Sequence, residues 1–76
     1  LLKVLPNPAS DKINITLPDE KGGSISISDI TGKVIIKIAV PAGTKELSNV
    51  DVSALAPGMY IVSDEVGLAV CKLTIK

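Results

Sequence analysis

The side chains that could do chemistry in this chain of 76 residues are few. The chain has no histidine, and its one cysteine is Cys71. Histidine is the usual general base and the commonest metal ligand, so the ordinary routes to acid–base catalysis and to a metal centre are missing. Serine, threonine and lysine fall at predicted strand and turn positions, where a structural role is expected. We therefore predict no enzymatic activity, no cofactor and no small-molecule substrate.

Two acidic pairs, Asp19-Glu20 and Asp64-Glu65, lie in predicted loops and suggest calcium binding as one alternative. A calcium loop places oxygen ligands at closely spaced positions along the chain. Neither pair has that density, so the favoured interpretation is that both carry solvated turn charges and bind no metal.

Three further features have a functional and a structural interpretation, and in each case the structural one is favoured. The Asn14–Thr16 stretch has the N-glycosylation pattern but lies inside a predicted strand, where a chance match is the better explanation. Cys71 would need a basic, accessible environment to be reactive, yet it shares the inward parity of Leu73 and Ile75, which predicts a buried, inert thiol. Tyr60 follows a tight turn, where its ring can fill the core and its hydroxyl can bind a backbone group.

The charge balance excludes whole classes of partner. Eight basic and eight acidic side chains cancel, and the chain has only one aromatic residue. Without a basic field or stacking aromatics, nucleic-acid binding is not expected. No polybasic stripe would hold the chain on an anionic membrane, and no apolar run approaches the roughly 18 residues that span a bilayer. We predict no membrane insertion.

The elements that position these residues are indicated by a period of two in hydrophobicity, which is typical of half-buried strands. Hydrophobic residues make up 46% of the chain, enough for one small core and one domain over residues 1–76. Turn signals recur at intervals of roughly 8–12 residues. The predicted fold is an all-β, immunoglobulin-like antiparallel sandwich, with a small barrel as the alternative. The predicted extended segments are 2–5, 12–17, 24–30, 33–40, 44–53, 59–63 and 69–76, with a hairpin loop at 64–67.

Breaks in this alternation predict local irregularities. The parity changes between Leu47 and Val50, which indicates a bulge, and again at Asp29-Ile30, which indicates a bulge or the onset of a turn. In the segment 33–40, the alternation places Val34 on the same face as Ile36, Ile38 and Val40. Lys37 interrupts this otherwise apolar strand and is expected to face solvent and limit aggregation.

The stretch 53–58 is predicted to form one tight turn. Ser53 is expected to cap a single helical turn, Leu55 to enter the core and Gly58 to reverse the chain.

Four phrases occur in order along the chain, and together they resemble the type A C-terminal sorting domain of the type IX secretion system. They are Pro6-Asn7-Pro8-Ala9, Asp29-Ile30-Thr31-Gly32-Lys33-Val34, the stretch from Val52 to Gly58-Met59-Tyr60, and Lys72-Leu73-Thr74-Ile75-Lys76. The resemblance covers nearly the whole chain. It assigns the recognition motif to Pro6, Asn7, Pro8, Gly32, Lys33, Gly58, Tyr60, Lys72, Leu73 and Lys76.

The resemblance implies a function in secretion. The chain would form the C-terminal sorting domain of a larger cargo protein and direct it through the outer-membrane translocon. A sortase-like peptidase would then remove the tail, upstream of Leu1, and attach the cargo to the cell surface. The implied partners are the translocon and that peptidase, and the implied location is the cell surface or the medium.

The terminal strand suggests how such a tail is read. If it lies at a sheet edge, a receptor strand could extend its unpaired backbone groups, with Lys72 and Lys76 providing electrostatic selectivity. The alternative is that these lysines only keep an edge soluble. Two other functions stay open: a carbohydrate-binding or adhesion module, which would need Tyr60 on an exposed surface, and a structural spacer between domains.

Overall fold

The computed structural model describes residues 2–64 and 69–76. These residues form strands and connecting turns, with no helix among them. Asp64 ends a strand, and the other residues of the predicted hairpin loop, 65–67, lie outside the described residues, as does the Glu65 of the second acidic pair. The strands are β1 (Lys3–Leu5), β2 (Lys12–Thr16), β3 (Gly23–Asp29), β4 (Val34–Val40), β5 (Glu46–Asp51), β6 (Gly58–Asp64) and β7 (Val70–Ile75).

The strands form two antiparallel sheets, one of three strands in the order β1-β2-β5 and one of four in the order β4-β3-β6-β7. Each sheet has two free edges, so the structure is a sandwich and not a closed barrel. The predicted all-β, immunoglobulin-like sandwich is confirmed.

The core lies between the two inner faces and is built from aliphatic side chains, most of them β-branched. Because successive side chains of a strand point to opposite faces, the alternating residues of β2, β3, β6 and β7 reach the core from both sheets. The largest side chains with almost no solvent exposure are Ile13, Ile15, Ile27, Val52, Val62 and Leu73. Tyr60 is the one aromatic residue among the buried side chains.

Two bulges interrupt the ladders. In β5, Leu47 and Val50 pair with Ile15 and Ile13, so β5 has one extra residue there; Asn49 takes a φ of 56°. This confirms the predicted bulge. The other bulge lies between β3 and β4. Ser28 pairs with Val34 and Ile27 with Ile36, so β4 has one extra residue there.

The β4 bulge changes the face on which Val34 lies. Val34 pairs with Ser28, whose side chain points away from the core, whereas Ile36 pairs with the buried Ile27. Val34 is 51% exposed. The simple alternation that places Val34 with Ile36 is therefore wrong, because one extra residue reverses the parity of a strand.

The turn after β5 differs from the prediction as well. Ser53 does not cap a helical turn: its backbone N–H and its hydroxyl both donate to Asp51 Oδ1, at 2.9 and 2.6 Å. The hydrogen bond from the Ser53 hydroxyl, followed by that from its backbone N–H, lowers the pKa of Asp51. Leu55 is buried as expected. Gly58 begins β6, so the chain reverses before it.

Candidate functional site

The side chain of Asn7 lies along the outer edge of β7 and binds it at two points. Asn7 Nδ2 donates to the carbonyl of Lys72 at 2.8 Å, and the Thr74 N–H donates to Asn7 Oδ1 at 3.0 Å. An amide has one donor end and one acceptor end, so a single asparagine can occupy one carbonyl and one N–H of an edge strand.

The backbone of Ala9 continues this contact. The Ala9 N–H donates to the Thr74 carbonyl at 2.8 Å, and the Lys76 N–H donates to the Ala9 carbonyl at 2.9 Å. Ala9 forms an isolated parallel bridge with Ile75 and is buried. The peptide bonds before Pro6 and Pro8 are both cis. We call the segment 6–9 the N-terminal latch, because it holds the terminal strand along its open side.

The latch settles one hypothesis about the terminal strand. β7 is an edge strand, as expected, and Lys72 and Lys76 are exposed. However, Asn7 and Ala9 already bind the carbonyls of Lys72 and Thr74 and the N–H groups of Thr74 and Lys76. We expected this strand to offer unpaired backbone groups that a receptor strand could bind. That expectation is wrong for the Lys72 carbonyl and for residues 74–76.

Tyr60 is a buried structural residue at the start of β6. The residue is 9% exposed, and its hydroxyl donates to the carbonyl of Ala56 at 2.6 Å across the preceding turn. Tyr60 pairs with Leu73 and Gly58 pairs with Ile75. The predicted role of the tyrosine hydroxyl is confirmed, and the exposed Tyr60 that a carbohydrate-binding surface would need is not found.

The turn that joins β3 to β4 is organised by one carboxylate. Asp29 Oδ1 accepts hydrogen bonds from the Thr31 N–H at 2.9 Å, from the Thr31 hydroxyl, and from the Lys33 N–H at 3.1 Å. The hydrogen bond from the Thr31 hydroxyl is the main cause of the lowered pKa of Asp29, with smaller contributions from the two backbone N–H groups and the Lys33 charge. Gly32 has a φ of 92°, which glycine adopts readily.

The four motif phrases meet at one end of the four-stranded sheet. Asp29, which starts the hairpin turn, pairs with Tyr60, and Tyr60 pairs with Leu73. Beyond Leu73, Asn7 binds the residues on either side of it. The Asp29 N–H also donates to the Lys33 carbonyl at 3.0 Å. Residues that are distant in sequence thus form one row across all four strands, which we call the motif end.

The motif end divides its residues into a buried and an exposed set. Leu73 and Tyr60 are buried and hold the strands together, whereas Lys33, Lys72 and Lys76 are exposed. Lys33 immediately precedes β4 and Lys72 lies in β7, and these two strands are three interstrand spacings apart, about 14 Å. These cations and the polar latch form a surface that can bind a partner.

Two exposed apolar residues of this surface were not predicted from the sequence. Ile30 is 74% exposed and Met59 is 47% exposed, and both lie next to motif residues. The alternation of a sequence identifies the two faces of a strand, but it does not show which apolar side chains stay uncovered by other residues. The break in alternation at Asp29-Ile30 was the one sequence feature that distinguished Ile30.

Within residues 2–64 and 69–76, the remaining candidate groups do not form a second site. Cys71 is a free thiol, half-buried and packed against the core; its inward parity is confirmed, although it is less buried than predicted. A cleft of about 570 Å³ lies at the opposite end of the sandwich, between the β2–β3 loop and the ends of β4 and β6. Its apolar lining includes Leu17, Ile25 and Val40, and no aromatic ring lines it.

Comparison with known proteins identifies one family. A family model described as "Secretion system C-terminal sorting domain" matches residues 3–76. Neither the search of curated proteins nor the search of solved structures found a match. Over the residues that the structure describes, no helix is long and apolar enough to cross a membrane.

Proposed function

The chain belongs to the family of secretion-system C-terminal sorting domains, and we propose that the exposed part of its motif end is the surface by which that system recognises the folded tail. A domain of this family is the C-terminal sorting signal for type IX secretion, so the chain acts with that system in export across the outer membrane. Recognition of a folded tail needs side chains that stay exposed after folding, and the motif end has them in Lys33, Lys72 and Lys76.

The observation that carries the proposal is the row that joins the hairpin turn, Tyr60, Leu73 and the latch. A linear signal would not require residues from both ends of the chain to meet. Here Asn7 contacts β7 only after the sandwich has folded, so a receptor that contacts the motif end distinguishes folded from unfolded cargo.

The exposed groups of this surface indicate what the receptor offers. Lys72 and Lys76 extend from β7, the exposed Met59 pairs with Thr74 between them, and the exposed Ile30 adds apolar area at the β3–β4 turn. Interfaces of this kind combine an apolar centre with charged groups that orient the partner. We expect an acidic, partly apolar receptor surface on the translocon.

We further propose that the tail is a substrate and not a catalyst. A sortase-like peptidase would cut upstream of Leu1 and leave the cargo attached to the cell surface. This is supported by the burial of Leu2, which is 5% exposed and immediately precedes β1. Proteolysis needs an extended, accessible segment, and such a segment would lie before the folded domain.

The test is a reporter protein fused to residues 1–76 and produced in a host with and without the translocon. The Lys72→Glu/Lys76→Glu variant reverses both charges of the motif end. Its control is Lys3→Glu/Lys21→Glu, which makes the same change in net charge at exposed lysines elsewhere. We expect the motif-end variant to reduce exported reporter about tenfold with an unchanged melting temperature, and the control to export normally.

The outcomes distinguish recognition, sorting and processing. Normal export of the Lys72→Glu/Lys76→Glu variant would overturn recognition through the motif end, while translocon-dependent export of the original fusion would still establish sorting. Reporter that reaches the medium at full length, with none attached to cells, would overturn processing by a surface-attaching peptidase.

A further inference from the structure

The four edges of the two sheets are protected to very different degrees. An open edge strand invites pairing with other chains, and proteins block it with prolines, bulges, charges or a covering segment. β1 has three residues and is followed by Pro6. β5 is bulged at Asn49 and carries Glu46 and Asp51. β7 is covered by the latch from the Lys72 carbonyl to the Lys76 N–H.

β4 is the exception. It has seven residues, six of them apolar, and its one sheet neighbour is β3. The Asp29 N–H donates to the Lys33 carbonyl, so the backbone groups of Asp29 point toward β4. This direction alternates along a strand, so those of Ile25 and Ile27 point the same way. Their partners Ile38 and Ile36 therefore direct their own backbone groups toward β3. Lys37 and Ala39 direct theirs outward, and no hydrogen bond from any described residue reaches them.

The β4 edge also carries a local charge. Lys37 is the one charged residue of the strand, and Lys33, just before the strand, lies beside Asp29, whose pKa its charge helps to lower. Lys37 is exposed at the middle of the strand, and Ile36 and Ile38 are only partly buried beside it. The edge is therefore apolar, basic and unpaired in its backbone.

We propose that β4 is a second docking edge, which accepts an extended, acidic segment of a partner protein as a fifth strand of the four-stranded sheet. The incoming strand pairs with the outward N–H and C=O groups of Lys37 and Ala39 and places a carboxylate beside Lys37. Its apolar side chains cover Ile36 and Ile38 on the other face. Main-chain pairing supplies affinity, and the alternating side chains supply selectivity.

Electrostatics favours this occupant over a second copy of the chain. Two β4 strands in antiparallel pairing would bring Lys37 of both copies together, and β4 carries no carboxylate to compensate; like charges across a strand pair are destabilising. An acidic segment replaces that repulsion with attraction. The inference does not rest on recognition of the motif end, because it concerns the outward backbone groups of Lys37 and Ala39, which lie farther along β4 than that row.

The test is a titration of the ¹⁵N-labelled chain with a synthetic peptide of about seven residues in which valine alternates with glutamate. We expect the largest amide shifts at Lys37 and Ala39, with little change at Lys72. Lys37→Glu is expected to weaken binding about tenfold, and Lys21→Glu, the control, to leave it unchanged. A peptide with lysine in place of glutamate should bind Lys37→Glu better than the original chain.

A backbone variant tests the pairing itself. Ala39→Pro removes an outward N–H that β3 does not use, so the sheet is expected to survive and peptide binding to be lost. Equal binding of the glutamate and lysine peptides, or shifts that avoid β4, would overturn the proposal. The proposal would also be overturned if the amide signals of Lys37 and Ala39 broaden as the concentration of the chain is raised without peptide, because that result would assign the edge to a second copy of the chain.

Discussion

Replacement of Asn7 by alanine tests whether the latch holds the terminal strand. The variant removes both side-chain hydrogen bonds to β7, at 2.8 and 3.0 Å, and leaves the Lys72 carbonyl and the Thr74 N–H without their partners. A hydrogen bond of this type contributes about 0.5–1.5 kcal/mol net. Because Asn7 is exposed and water can replace it, we expect a combined loss of about 1–2 kcal/mol in the free energy of unfolding.

The assay is thermal and urea unfolding followed by circular dichroism, together with amide hydrogen exchange. For a domain of this size, 1 kcal/mol lowers the melting temperature by roughly 4–8 °C. The Thr74 amide should lose its protection in Asn7→Ala, whereas the Leu73 amide, which faces β6, should keep it. Asn14→Ala is the matched comparison, because Asn14 makes one such bond, to the Asn49 N–H at 3.0 Å.

Two results would refute this reasoning. One is an Asn7→Ala variant whose free energy of unfolding stays within about 0.3 kcal/mol of the original, below the range for even one bond. The other is a Thr74 amide that remains as protected as before, since its partner would then not be Asn7.

Three further predictions concern the carboxylates, the tight turns and the core. Asp29 and Asp51 have pKa values below the ordinary 3.8, so folding favours their ionised forms. Stability from these groups is present above the unfolded pKa and is lost as pH falls through the folded pKa; urea unfolding should show this loss below about pH 4, reduced in the Asp29→Asn/Asp51→Asn double variant. Gly22→Ala places its Cβ 2.7 Å from the Ala42 nitrogen at a φ of 81°, whereas Gly32→Ala at a φ of 92° meets no atom within 4 Å. Thermal melts should therefore show a larger loss for Gly22→Ala than the roughly 1 kcal/mol expected for Gly32→Ala, and equal losses would contradict the packing argument. Leu73→Ala empties a fully buried site and should cost about 2–5 kcal/mol, enough to unfold much of so small a domain; a cooperative melt near the original temperature would contradict its place in the core.

The strand pattern was readable from the sequence because it depends on local alternation. Ile13 and Ile15, or Ile25 and Ile27, lie two residues apart, and a period of two identifies the face that they share. The β5 bulge was readable for the same reason, since one extra residue shifts the parity of all later positions in the strand. Val34 was assigned wrongly because the β4 bulge is defined by its partner strand, which the sequence of β4 does not contain.

The composition of the core and the number and approximate bounds of the strands could be predicted from the amino-acid sequence. The packed fold was needed to show that Asn7 occupies the edge of β7, that Tyr60 lies between Asp29 and Leu73, and that no other described strand covers the outer edge of β4. The physical reason is that alternation is a property of each strand alone. Which segment binds the edge of a sheet depends instead on how the strands are ordered in space and where the connecting segments run.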